Sequence, residues 1–179
     1  MPSGKTHDRI TLWCVPWVML LTKLITQDWG YTLLVGGGFL FAGLMFGPDL
    51  DTRSVQGRRW GWLSWIWQPY RHLFKHRSWL SHGFLAGTLV RLTYLSIWIL
   101  LGVLFVLEIS NASGYTNVTW KELRQSILQT LSQHWRIWLA IAIGIETGAM
   151  SHSMSDWLVS GWKRHCRSRR KTSSHRRRK

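Results

Sequence analysis

The sequence predicts an all-α integral membrane bundle of about four transmembrane helices, with a short interfacial helix and a disordered basic tail. Three observations predict it. Apolar residues gather in four blocks, the longest being FLAGTLVRLTYLSIWILLGVLFVL at 84–107, which meets the ~20 residues a helix needs to cross hydrocarbon. Fourteen of the 179 residues are Trp, a side chain that concentrates where membrane meets water. The 23 Lys and Arg, against 8 Asp and Glu, fall between and after the apolar blocks. The length suits one domain, with a helical membrane unit over 1–162 and a separate basic tail over 163–179.

The first block, about 10–26, carries Pro16 and Lys23. Lys5 and Arg9 precede it as in a signal peptide, but no small-residue cleavage site follows, so a retained anchor is expected. The second, about 31–47, holds Gly36, Gly37 and Gly38. The third has Arg91 near its start, and the fourth, about 135–150, contains Glu146. Gly83/Gly87 and Gly144/Gly148 have the four-residue spacing that lets helix backbones approach closely. Between the second and third blocks, Trp60, Leu63, Trp67, Tyr70 and Phe74 recur at helical spacing, with Pro69 as an interruption. Short pieces lying on anionic headgroups are expected there, or a loop helix packed on the protein.

Charge sets the orientation. Two Lys and Arg precede the first block, six lie in the 48–83 loop and ten follow residue 150. With four spans these 18 of 23 share one side, which the positive-inside rule places in the cytoplasm with both termini. The 108–134 loop then lies outside, with two glycosylation sequons at Asn111 and Asn117. The tail suits the lipid bilayer and its anionic headgroups; nucleic acid is not the expected partner. Cys14 and Cys166 are isolated, which excludes a thiolate zinc site or a disulfide framework.

Mapped on this topology, the scarce acids and the histidines share one membrane face. His7 and Asp8 precede the first span. Asp49 and Asp51 follow the second, in PDLD. His76 and His82 precede the third, in KHRSWLSHG, and Glu146, His152 and Asp156 end the fourth. Imidazole and carboxylate are the ligand set of zinc and other divalent metals, so one or two such ions are expected at the cytoplasmic helix ends. Asp49 and Asp51, two apart in an extended stretch, would point the same way. His152 and Asp156, four apart, would share a face if the helix continues. Glu146 sits deeper and is a poorer ligand than a hydrogen-bonding partner inside the bundle. Taken singly, each has an ordinary alternative: an interfacial histidine for His7, an Arg53-paired turn for the aspartates, a basic-loop residue for His76.

The PDLD segment, followed by His76-Arg77 and Ser81-His82, resembles the YdjM-type membrane-bound metal-dependent hydrolases of bacteria. The opening PSGKTHDRIT and the close SHSMSDWLVSG resemble more closely a bacterial group of uncharacterised metal-binding membrane proteins (DUF2227 type). The likeness covers about residues 1–162. It implies metal positions at His7, Asp49, Asp51, His76, His82, His152 and Asp156, and a bacterial inner membrane. Where the hydrolases have Thr-His, this chain has Ser81-His82, which keeps the hydroxyl.

The resulting expectation is a membrane protein binding a divalent metal, zinc first and manganese or iron as alternatives. As a hydrolase of an ester or phosphoester it would use Asp51 or Asp156 as general base. The rival is a non-enzymatic metal-binding or structural membrane protein with a lipid- or nucleic-acid-binding tail.

Overall fold

In a computed structural model the structure describes residues 4–74 and 83–176, with side chains as far as Trp157. The described residues form helices and no strand. The helices are α1 (Gly4–Thr26), α2 (Trp29–Leu44), α3 (Val55–Arg58), α4 (Trp67–Leu73), α5 (Ala86–Ala112), α6 (Trp120–Gln133) and α7 (Trp135–Arg176), with 3-10 turns at Pro48–Asp51 and Gly61–Ile66. Three are long and apolar enough to cross a membrane: α1, α2 with the turn that follows it (Trp29–Asp51), and α5. The fourth apolar block, 135–150, is the first third of α7. That helix continues for 42 residues, so the basic stretch expected to be a separate disordered tail lies in its last turns as far as Arg176; residues 177–179 lie outside the described residues. Once nucleated, a helix propagates readily through Arg, Lys and Ser.

α1 and α2 form a tight antiparallel pair. Gln27 takes a left-handed conformation (φ 53°), and Asp28 caps α2, its Oδ1 accepting from Tyr31 N at 3.3 Å. Lys23 reaches past the end of α1, donating to Gln27 O at 2.8 Å and lying 4.9 Å over the Trp29 ring, so its charge leaves the apolar stretch. α7 lies along α2 with almost no side chain between them. A Cβ on Gly144 would strike the Val35 carbonyl oxygen, and one on Gly148 the Phe39 carbonyl oxygen. This is the close approach that small residues four apart permit.

The 48–74 segment folds back over one end of this three-helix core. Trp67 and Tyr70 are fully buried with Phe46 and Leu50. The Trp67 ring meets Phe46, Trp60, Tyr70 and Tyr94 at centroid distances of 5.2–5.8 Å. The stripe expected on the headgroups therefore packs mostly against the protein, while Trp62, Trp65 and Leu73 point outward. Pro69 interrupts nothing: it occupies the first turn of α4, where no backbone donor is needed.

The loop expected over 108–134 contains α6. Thr119 and Glu122 form a complete capping box, and Trp120, Leu123, Ile127 and Leu131 follow at helical spacing. Asn111 has structural work in the sequon, donating to Val118 O at 2.9 Å.

Gly144→Val should lower the thermal unfolding midpoint in detergent, with a loss of about 1–3 kcal/mol or more from overpacking against backbone. Gly37→Ala meets nothing within 4 Å and should hold or raise it by up to about 1 kcal/mol. Equal effects from both would refute the close α2–α7 contact.

Candidate metal centre

Three elements deliver the cluster. α1 begins at Gly4, so His7 lies in its first turn, on the side that meets α7. His152 and Asp156 stand one turn apart on α7. Asp49 comes from the 3-10 turn that carries the chain off α2. The His7 and His152 rings stack, centroids 3.8 Å apart and planes inclined by 21°. His7 Nε2 lies 3.4 Å from Asp156 Oδ1, and His152 Nε2 lies 3.2 Å from Asp49 Oδ2. Donor atoms of His7, His152 and Asp156 all fall within 4.8 Å of one another.

Two neighbours hold the imidazoles. The Ser155 hydroxyl donates to His152 O at 2.8 Å and has no second proton. Its Oγ also lies 2.7 Å from His7 Nδ1. With the hydroxyl proton on His152 O, Ser155 accepts from the Nδ1–H tautomer of His7, the form that leaves the Nε2 lone pair for a ligand. Gln56 Nε2 donates to Gly43 O at 3.1 Å and approaches His152 Nδ1 at 3.4 Å.

The donor set fits a cation. His152 Nε2 and Asp156 Oδ1 are buried and complete no hydrogen bond among the described residues, although each lies close to a partner. Buried polar atoms are seldom left so. Atoms ligating one zinc at about 2.0–2.2 Å lie about 3.3–3.6 Å apart, so the short contacts already suit an ion and the widest must close by about an ångström. Two positive charges at the ring separation would be costly in a buried site. That favours at least one neutral imidazole, the form that ligates.

Of the residues singled out by sequence, His7, Asp49, His152 and Asp156 come together. His76 and His82 lie outside the described residues. Asp51 goes elsewhere than its partner in PDLD. The segment is a 3-10 turn rather than extended chain, and in such a turn residues two apart point to different sides. Asp51 is buried, near enough to Tyr70 and Arg91 to act on both. Glu146 accepts from Leu85 N at 3.0 Å. Asp8, beside His7, turns away into a two-bond pair with Arg59, whose Nη1 donates to Asp8 Oδ1 at 2.9 Å and to Leu44 O at 2.7 Å. The Asp8 carboxylate holds the Arg59 guanidinium above its ordinary value. Sequence reasoning missed Ser155 and Gln56. Ser155, three residues after His152, could have been found as a hydroxyl on the same helix face; nothing marked Gln56.

Residues 2–166 match the model of a family described as "Uncharacterized metal-binding protein (DUF2227)". The chain belongs to that family. An "Uncharacterized protein" of Aquifex aeolicus (strain VF5) is 37% identical over 73 residues, which is 40% of this chain and 50% of the relative. The chain thus spans about half the length of the curated relative it matches. No solved structure matches it.

Ser155→Ala removes the partner of His7 Nδ1 but no ligand. Metal affinity, read by competition with a chromophoric chelator, should fall about 10–100-fold with the fold intact. Unchanged affinity would mean that Ser155 does not orient His7.

Proposed function

We propose that this protein holds a divalent cation between His7, Asp49, His152 and Asp156 and hydrolyses an ester or phosphoester at the cytoplasmic face of a bacterial inner membrane. The observation that carries the cation is the meeting of two buried imidazoles and two carboxylates from α1, the 48–51 turn and α7, in a chain of a metal-binding family. Zinc suits two nitrogens and two carboxylate oxygens best; manganese and iron accept the same set. The bound ion would polarise the scissile ester and lower the pKa of a coordinated water.

The chain's own residues do the rest. Ser155 and Gln56 fix the rings. Asp156, at the partly solvated edge of the cluster, would take the proton of the attacking water as general base. Asp51, the other carboxylate expected in that role, sits beside Tyr70 and Arg91 and outside the cluster. Three apolar helices and an α7 running beside α2 are consistent with four crossings. The termini and the 48–83 segment, with their basic excess, would then face the cytoplasm and anionic headgroups.

Elemental analysis of detergent-purified protein tests this. About one ion per chain is expected in the wild type, as for a structured ligand set. It should be lost in His7→Ala/His152→Ala while the far-ultraviolet helical signal remains. Wild-type protein that stays metal-free after growth with zinc, manganese and iron would end the proposal.

A further inference from the structure

The metal centre opens into a cleft of about 240 Å³ whose walls differ in chemistry. One wall carries His7, His152 and Asp49. The other carries Arg53, Ser54 and Arg58, from the end of the 3-10 turn to the end of α3. Four arginines occupy residues 53–71, and the fold uses two of them. Arg59 is held by Asp8 and the Leu44 carbonyl. Arg71 donates to Leu50 O at 3.2 Å and lies against Gly57. Arg53 and Arg58 are exposed and form no ion pair among the described residues. Arg53 also stands close enough to Arg71 for their like charges to oppose each other. The lining therefore holds more positive charge than the fold consumes, beside a cation-binding cluster; Asp8, also on the lining, is spent on Arg59. Ser54, also on this wall, accepts from Gly57 N at 3.3 Å, so its hydroxyl proton remains available to an acceptor.

Volume narrows the ligand. Sites that enclose whole small molecules run to about 300–1,000 Å³, so this cleft accommodates one charged group and leaves the remainder of the molecule outside. Two guanidinium forks and a divalent ion suit a dianion with several oxygens better than a single carboxylate. We propose that the cleft receives a terminal phosphate group, gripped by Arg53 and Arg58 on one wall and by the metal centre on the other. This rests on the metal reading above and names the substrate class of that site: a phosphate monoester whose organic part projects from the cleft, in solution or in the bilayer. The two walls are mechanically joined, because Gln56 on α3 braces His152 between the two arginines in sequence.

The test titrates inorganic phosphate calorimetrically into metal-loaded, detergent-solubilised full-length protein and measures the metal of the same samples by elemental analysis. Arg53→Gln/Arg58→Gln should weaken phosphate binding at least about tenfold, as expected for charge-assisted bonds lost, with metal content unchanged. Lys121→Gln/Arg124→Gln on α6, a loss of equal charge elsewhere, should bind as the wild type does. Equal binding by the cleft variant and the wild type, both metal-loaded, overturns the proposal, and so does a metal-loaded wild type that binds no phosphate. A metal-free wild type overturns the function proposed above and this inference with it, and the elemental analysis identifies that case. Competition separates the two sources: displacement by glycerol phosphate marks a soluble ester, and displacement only by phosphatidic-acid-doped micelles marks a lipid headgroup.

Discussion

The contact between bare backbone on α2 and α7 governs where the site falls. For helices long and apolar enough to cross a membrane, burying apolar side chains between them would yield little in lipid, whose tails solvate them equally well, and close packing and backbone contacts would decide which helices pair. Gly144 and Gly148 let the Val35 and Phe39 carbonyls touch α7 directly. His152 lies one turn beyond Gly148, and Asp49 lies just past the end of α2. Sliding α7 by a single turn, ~5.4 Å, would carry His152 out of reach of Asp49, now 3.2 Å away. The glycines are thus remote from the chemistry but fix its register.

α5 is attached by different means. Most of its large apolar side chains are exposed, and only its first half, through Val90, Leu92, Tyr94, Leu95 and Trp98, packs against the core. Its first turns add polar pins. Arg91 is buried and its Nη2 donates to Thr88 Oγ1 at 3.0 Å. Tyr94 donates its hydroxyl proton to Ile66 O, and Leu85 N donates to Glu146. Burial pushes the neighbouring Tyr70 phenol up to about 12, which keeps it neutral beside Arg91. In a low-dielectric surround such bonds are costly to break, and they tie α5 to both α7 and the segment that roofs the metal centre.

How much of this could be read from the sequence follows from what each signal encodes. The apolar blocks, the Gly144/Gly148 pair and the four cluster residues were legible, because hydropathy, small-residue spacing and scarce ligand types are one-dimensional patterns. The direction of Asp51 was not. Its PDLD segment reads as extended after a proline, and only the backbone of the 3-10 turn shows that Asp49 and Asp51 part company. α6 was legible in principle from Thr119-x-x-Glu122 and the apolar spacing behind it, but the balanced charge of 108–134 concealed it. Gln56 was illegible: its contact with His152 spans 96 positions of sequence, and no local pattern announces such a pairing.

The acids make the last step of the argument. Only eight occur in a chain of net charge +15, where each could pair with a base. Asp28 caps α2 and Glu122 caps α6. Asp8 is taken by Arg59, and Glu146 receives the Leu85 amide. Asp51 lies in the field of Arg91, and Glu108 is exposed on α5. Asp49 and Asp156 differ from these: the contacts they make at the cluster are with imidazole nitrogens. Two carboxylates gathered beside two stacked histidines repel each other. A divalent cation attracts both carboxylates and takes imidazole nitrogens as ligands. Two imidazoles and two carboxylates converging from three elements, in a chain of a metal-binding family, match a coordination sphere better than one more surface ion-pair network.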